Sequence, residues 1–361
     1  MDAPLAPTPT GADLTALFTP LADPTYTAAR CDALADTIAE ILALKRAQNA
    51  VILAHNYQRP EIFRVADFVG DSLELARQAA SVDAETIVFC GVHFMAETAK
   101  ILNPSRRVIL PDLRAGCSLA DSVTAEDLAE RKAELRAVYP DLAVVGYVNT
   151  TADVKAECDA CCTSSNAVRV VEGLPSEHIL FVPDQNLAAW VQSQTRKSII
   201  AWDGNCYVHH QITAEQIGAV RNALPHVRVL AHPECRADVL ALADAVTGDE
   251  LAARKAELRV PYPDLMVVGY VNTTAEVKAE CDACCTSSNA VRVVEAMPSE
   301  HILFVPDKKF YKSCKLCQYM KMITLEGTRD ALRDLAPEIT IPEDVRVRAK
   351  RALDRMLELT A

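Results

Sequence analysis

Short apolar segments alternate with longer helical segments from about residue 26 onward, and this alternation constrains the fold more than any other feature of the chain. Helical patterns cover 28–50 and 71–82. The predicted strands are VILAHNY (51–57), TIVFCGV (86–92), RVILP (107–111), LAVVGYV (142–148), ILFVPD (179–184), SIIAW (198–202) and VRVLAHP (227–233). Apolar strands separated by helices are typical of parallel sheets covered on both faces. The sequence therefore predicts an α/β protein.

Length and charge narrow the class of function. The chain has 361 residues, half of them apolar, which favours two or three domains. A net charge of -12 without a basic block argues against nucleic acid or an anionic membrane as the main partner. No secretory leader and no apolar run of membrane-spanning length stand out, so we expect a cytoplasmic protein. The 13 cysteines, an odd number, favour free thiols or metal ligands over a disulfide framework.

Polar residues follow several of the predicted strands. His55 and Tyr57 come after VILA, Tyr147 and Asn149 end VVGYVN, and Glu234 lies just beyond VRVLA. Open α/β sheets bind ligands beyond the carboxyl ends of their strands. The sequence therefore predicts a site for a small molecule at these strand ends.

Three cysteines, Cys117, Cys206 and Cys317, stand among polar or small residues, although inert cysteines usually lie in apolar runs. Three thiolates on one 4Fe-4S cluster would leave an iron open to act as a Lewis acid. Spacing alone does not select these three from thirteen. Cys314 and Cys317 also form a C-x-x-C pair, which would suit half of a zinc site, but no second pair lies nearby.

Several longer motifs carry a family resemblance. They are AHNYQ (54–58), GDSLELA (70–76), GYVNTTADVKA (146–156), CCTSSNA (161–167), GNCYVH (204–209) and AHPEC (231–235). With them, the chain resembles the quinolinate synthases. The resemblance implies three similar αβα domains around a pseudo-three-fold axis, with a 4Fe-4S cluster at the centre. Its ligands would be Cys117, Cys206 and Cys317, one from each domain.

Residues 1–25 are rich in Pro, Thr and Ala without a sustained period, so we expect a mobile lead-in with one short helix. The resemblance implies the limits of the domains that follow. The three domains would cover 26–125, 126–212 and 213–324, with C-terminal helices in 325–361 packed on the first domain. Cys158, Cys161 and Cys162 resemble a metal motif, but we expect them to be core cysteines.

The implied reaction is that of a transferase in de novo NAD biosynthesis, which condenses iminoaspartate with dihydroxyacetone phosphate to quinolinate. Phosphate and water would be lost, and an enzyme that supplies iminoaspartate would be a suitable partner. Tyr57, Glu234 and His232 would be catalytic. Substrate binding would fall to His55, Ser72, Tyr147, Asn149, Ser164 and His209. Ser72 would equally suit the cap of a helix, and the two roles share one geometry.

One segment departs from the family pattern. Residues 127–184 return as 250–307 with about 50 of 58 positions identical, and the copy falls in the predicted third domain. By resemblance, a hydroxyl-rich loop is expected after Gly248, where Asp249 and Glu250 stand instead. Three hypotheses follow: a working synthase, a cluster-binding but impaired homologue, and an iron-sulfur electron carrier. The carrier is disfavoured because carriers usually bind each cluster with four cysteines.

Overall fold

A computed structural model describes residues 8–21, 23–70, 75, 78–79, 81–223, 229, 231–243, 256, 259–260, 263–264, 266–270, 283–285, 302–305 and 317–360. The chain divides into two compact units. The first unit consists of residues 1–117 and 317–346, and the second of residues 118–316 and 347–361. The three predicted domain limits stay a prediction.

A threonine or aspartate side chain caps the start of six of the described helices. Their bounds are Gly11–Phe18, Ala28–Ala47, His93–Leu102, Ala125–Val138, Ala152–Ala156, Ala167–Gly173, Gln185–Gln194, Tyr207–His210, Ala214–Ala223, Ala237–Leu240, Leu325–Asp334 and Glu343–Leu359. Single 3-10 turns cover Thr19–Leu21, Ile62–Arg64, Ala120–Ser122 and Met320–Met322. Among these described helices, none is long and apolar enough to cross a membrane.

A four-stranded parallel sheet forms the centre of the first unit. Its strands are β1 (Ala50–His55), β2 (Phe68–Gly70), β3 (Thr86–Cys90) and β4 (Arg107–Ile109), in the order β2-β1-β3-β4. All five residues of β3 are buried, as expected for a strand covered on both faces. The helix Leu325–Asp334 packs against β3 and against the helix Ala28–Ala47.

The described part of the N-terminal segment contains a short helix. The expected short helix forms at Gly11–Phe18, but Leu14 and Phe18 are buried and the helix packs on Ala28–Ala47. The ring of Phe18 also lies 4.4 Å from that of Tyr26. Two buried apolar side chains spaced one turn apart explain why this part of the lead-in is fixed to the first unit.

The second unit contains a sheet of the same topology. Its strands are β5 (Ala143–Tyr147), β6 (Ala160–Cys162), β7 (His178–Val182) and β8 (Ser198–Ala201), in the order β6-β5-β7-β8, all parallel. Val144, Leu180 and Val182 form part of its buried core together with Leu128 and Leu135 of the helix Ala125–Val138. Both sheets thus place their first strand between the second and the third. This confirms the prediction of an α/β fold built from similar parallel sheets.

The copied segment builds a third sheet. Its strands β9 (Met266–Tyr270), β10 (Ala283–Cys285) and β11 (Ile302–Val305) pair in the order β10-β9-β11. Tyr270 pairs with Cys285 as Tyr147 pairs with Cys162, so the register of the original sheet is repeated. Gly248, Asp249 and Glu250 lie outside the described residues.

The other predicted strands can be compared directly. The six predicted between residues 51 and 202 all form, each within three residues of its predicted limits. In the seventh, 227–233, the described residues 229 and 231–233 are not in a strand. Among the described residues 229 and 231–234, His232 and Glu234 therefore lie in an irregular segment and not at the end of a strand.

Gly146 in β5 is a position where the second unit leaves no room for a side chain. A Cβ atom there would lie 2.5 Å from the Sγ atom of Cys158. We expect Gly146→Ala to lower the free energy of unfolding by about 1–3 kcal/mol, the usual cost of overpacking a core. Adding Cys158→Ala should recover most of this loss, as measured by urea unfolding against the single Cys158→Ala variant. An unchanged loss in the double variant would contradict this packing.

Candidate active site

A buried acid lies among histidines in the second unit. Glu234 is 2% exposed, and its Oε2 atom lies 2.6 Å from Nδ1 of His209 and 3.8 Å from Nδ1 of His232. The two imidazole rings stack with centroids 4.6 Å apart. Tyr147, at the end of β5, donates a hydrogen bond to the same carboxylate. These four residues, distant in sequence, form one group.

The charges in this group depend on burial and on the ion pair between Glu234 and His209. Burial alone would raise the pKa of Glu234, but His209 outweighs it, and the net effect lowers the pKa of Glu234 to about 2. Burial alone would lower the pKa of His209, but Glu234 raises it well above its usual value. Glu234 is therefore ionised, and its partner imidazolium is stabilised at neutral pH.

The neighbouring groups are neutral. Burial, with a contribution from the charge on His209, lowers the pKa of His232 to about 4. Burial and the nearby Glu234 carboxylate raise the pKa of the Tyr147 phenol, which also has a hydrogen bond with Ser164. At neutral pH His232 is thus an imidazole and Tyr147 a hydrogen-bond donor.

Two buried oxygens of this group have no hydrogen-bond partner among the described residues. They are Oε1 of Glu234 and Oδ1 of Asn149, which follows β5 two residues after Tyr147. Buried acceptors are rarely left unpaired in folded proteins, and such exceptions often mark functional sites. Both atoms are suited to accept a hydrogen bond from a bound molecule, and the carboxylate oxygen of Glu234 can also accept a proton.

Cys206 lies next to this acid. Its Sγ atom, a histidine nitrogen of His209 and a carboxylate oxygen of Glu234 lie within 4.8 Å of one another, close enough to hold a metal ion. Burial raises the pKa of Cys206, while a hydrogen bond with His209 opposes that rise. A thiolate ligand needs such nearby donors. The sequence analysis identified all three residues but not their proximity.

The thiol environments of the predicted ligands and of the predicted core cysteines differ, with one exception. Cys158 was predicted to be a core cysteine but is partly exposed, although it packs against the buried core of the second unit. Cys117 and Cys317 in the first unit and Cys206 in the second are partly exposed. Cys161 and Cys162 in β6 are fully buried, and burial raises the pKa of Cys161 to about 12. Partly exposed thiols among polar groups fit an iron-sulfur cluster, whereas buried protonated thiols fit a core. Cys161 and Cys162 therefore belong to the core, as predicted.

The first unit carries its own candidate residues at the end of β1. His55 is buried, and its Nδ1 atom accepts a hydrogen bond from the backbone N–H of Tyr57, 3.2 Å away. Burial lowers the pKa of His55 to about 4, so the ring is neutral with the proton on Nε2. The side chain of Tyr57 is 56% exposed, with its ring 4.9 Å from that of His55. Ser72 lies outside the described residues.

The residues after Tyr57 hold the segment that follows Cys317. The guanidinium of Arg59 donates two hydrogen bonds, at 2.9 and 2.7 Å, to the carbonyl oxygen of Lys321. In return, Nζ of Lys321 donates to the carbonyl oxygen of Gln58 at 2.8 Å. The loop after β1 and the segment after Cys317 are therefore fixed to each other within the first unit.

Two residues of the site were missed by the sequence analysis. Asp184 is fully buried after β7, and burial together with the charge of Glu234 raises its pKa to about 7. Asn186 follows it in the first turn of the helix Gln185–Gln194. The strand-end rule applied to Tyr147 would have identified both, since the predicted strand segment ILFVPD ends at Asp184 and Asn186 follows two residues later.

Comparison with known proteins places the chain in a family. The model of the family described as "Quinolinate synthetase A protein" matches residues 39–254, 241–314 and 307–358. The quinolinate synthase of Desulforudis audaxviator is 46% identical over 327 residues, covering 90% of this chain and 98% of that protein. Quinolinate synthase 1 of Mesorhizobium japonicum is 47% identical over 323 residues, with 89% and 91% covered. The quinolinate synthase of Xylella fastidiosa strain 9a5c is 46% identical over 323 residues, with 89% and 87% covered.

Similarity of this extent, spread over nearly the whole length of the relatives, agrees with the α/β fold and with the grouping of strand-end residues around Glu234. The chain belongs to the quinolinate synthase family.

Proposed function

We propose that the chain is an enzyme that condenses iminoaspartate with dihydroxyacetone phosphate to quinolinate, with loss of phosphate and water. The observation that supports this most directly is the buried, ionised Glu234, whose Oε1 atom has no partner among the described residues. Closing a pyridine ring from these substrates requires repeated proton transfers, and a fixed carboxylate base serves them. Family membership supplies the substrate class.

The acid-base roles follow from the protonation states. Glu234 is ionised and accepts protons at Oε1, and the His209 imidazolium balances its charge within the buried group. Tyr147 is a neutral donor directed at Glu234 and can return a proton along that hydrogen bond. We assign Tyr57 as general acid because its phenol is solvent-exposed, and His232 as a neutral partner that exchanges protons near Glu234.

Substrate binding uses neutral donors together with one imidazolium, rather than a cationic patch. We assign this role to the neutral His55, Tyr147, Asn149 and Ser164, to the charged His209, and by the sequence resemblance to Ser72. Because Nδ1 of His55 is occupied by the Tyr57 N–H, its Nε2–H is the donor available to a carboxylate or phosphate oxygen. Such a set of donors can bind anionic substrates and then release a product that is itself an anion.

We further propose that Cys117, Cys206 and Cys317 hold a 4Fe-4S cluster. When bound, such a cluster supplies an iron that can polarise a substrate oxygen as a Lewis acid. A cluster of this kind favours a reducing compartment, which agrees with the expected cytoplasmic location. Iminoaspartate is a reactive imine, so an enzyme that produces it is a suitable partner.

The cysteine assignment predicts selective loss of the chromophore. Replacing Cys117, Cys206 or Cys317 by alanine should remove the brown colour and most bound iron after anaerobic reconstitution, because each supplies one thiolate. Cys161→Ala is the matched control and should retain both, since that thiol is in the core. Bleaching by Cys161→Ala with retention in Cys206→Ala would contradict the assignment.

The acid-base assignment predicts loss of turnover without loss of cluster. Glu234→Gln keeps the shape of the side chain but removes the base, so kcat should fall about 10²- to 10⁴-fold. Glu130→Gln, an exposed acid of the same unit, should leave kcat unchanged. Quinolinate formation and iron content are measured on the same samples. If the unaltered chain binds the cluster but makes no quinolinate, the alternative of an impaired homologue replaces this proposal.

The neutral state of His55 predicts a pH dependence of stability. Its folded pKa of about 4 lies below the unfolded value near 6.5, so the unfolded chain binds more protons between these pH values. Stability is fully present above about pH 6.5 and should fall by about 3 kcal/mol as pH drops to 4. His55→Asn should lack this part of the slope in urea unfolding of the cluster-free protein. Equal slopes in both proteins would show that His55 is not held neutral.

A further inference from the structure

A single turn, Pro183–Asn186, contacts both halves of the candidate site in the second unit. It joins β7 to the helix Gln185–Gln194 and includes Asp184 and Asn186. Asp184 reaches the backbone of Cys206, and Asn186 reaches the backbone of Glu234.

Asp184 uses its two carboxylate oxygens for two different partners. Its Oδ1 atom accepts from the N–H of Leu187 at 2.7 Å and so caps the helix. Its Oδ2 atom accepts from the N–H of Cys206 at 3.0 Å. The carboxylate is fully buried, so both hydrogen bonds are shielded from water.

A helix cap alone does not require this carboxylate. Five other described helices are capped by a single threonine hydroxyl: Thr10, Thr27, Thr124, Thr151 and Thr324. Threonine would satisfy the N–H of Leu187 here as well. The second oxygen of Asp184 is therefore needed only for Cys206.

The two backbone segments on either side of this contact are closely packed. The N–H of Gln185 donates to the carbonyl oxygen of Gly204 at 2.7 Å. A Cβ atom on Gly204 would lie 2.5 Å from the carbonyl oxygen of Pro183. The segment that carries Cys206 thus lies directly against the turn, and its position follows that of the turn.

Asn186 fixes the other half of the site. Its Nδ2 atom lies 3.1 Å from the carbonyl oxygen of Glu234 and 3.1 Å from Nδ1 of His210. A carbonyl oxygen only accepts, so the amide nitrogen is the donor to Glu234 and also donates to His210. His210 is thereby a structural residue, and the backbone of Glu234 is anchored to the same turn as Cys206.

We propose that Asp184 and Asn186 are positioning residues that hold the thiol of Cys206 and the carboxylate of Glu234 in one fixed arrangement. The proposal rests on the assigned roles of Cys206 and Glu234. It adds that Asp184 and Asn186, at the start of one helix, determine both how firmly the cluster is retained and where the carboxylate base of Glu234 lies.

The test for Asp184 separates capping from positioning. Asp184→Thr keeps the cap but removes the contact to Cys206, so thermal unfolding should stay close to that of the unaltered chain. After anaerobic reconstitution, the cluster should be lost to a chelator about 10- to 100-fold faster, the usual effect of removing a group that orients a metal ligand. In the cluster-free protein, iodoacetamide should label Cys206 faster, as read by peptide mass spectrometry. Thr124→Ser, a cap in the same unit without a cysteine contact, should change neither rate.

The test for Asn186 uses an amide of the same helix as its control. Asn186→Ala should lower kcat about 10- to 100-fold through misplacement of Glu234, with KM and iron content little changed. Gln192→Ala removes an amide that donates to the Lys197 carbonyl oxygen at the surface, and kcat should be unaffected.

The outcomes distinguish the two proposals. An unaltered chain without cluster or turnover overturns the proposed function, while the iodoacetamide rates still decide the role of Asp184. An active unaltered chain with Asp184→Thr and Asn186→Ala indistinguishable from it overturns the positioning role.

Discussion

Parallel strands covered by helices on both faces are the constraint on which the site depends. Such strands are apolar along their length, and polar side chains are confined to the strand ends and the loops beyond them. His55 ends β1, Tyr147 ends β5, and Asp184 follows β7. Because the carboxyl ends of parallel strands meet at one edge, Tyr147 and Asp184 come to the same edge of the second sheet. The candidate active-site residues of the second unit that follow its strands lie at this edge.

The electrostatics of this edge depend on one ion pair. A carboxylate as buried as Glu234 would ordinarily bind a proton, and its ionised state is sustained by His209. Burial and, after it, the charge of Glu234 raise the pKa of Asp184 and of Tyr147, so the carboxylate, the phenol and the imidazole differ in protonation although they lie close together. Differences of this kind let one group accept protons while its neighbour donates them.

The copied segment shows how far sequence pattern alone specifies a sheet. Residues 266–270, 283–285 and 302–305 pair in the register of the original, although they follow a different stretch of chain. Nearly identical apolar residues are sufficient for this local strand pairing. The residues after Gly248, expected to contact the substrate in the predicted third domain, lie outside the described residues.

The sequence by itself determined the α/β class, the positions of six of the eight strands between residues 50 and 201, and the residues at their ends, because apolar periodicity and the residues that interrupt it are local properties. The three-residue edge strands β2 and β6 were not predicted. Family motifs added candidate roles for Cys206, His209 and Glu234. Only the tertiary structure placed the imidazole of His209 against Glu234, distinguished partly exposed thiols from buried ones, and brought Asp184 and Asn186 to the site. Protonation states and hydrogen bonds depend on distances through space, and residues far apart in a chain acquire those distances only on folding.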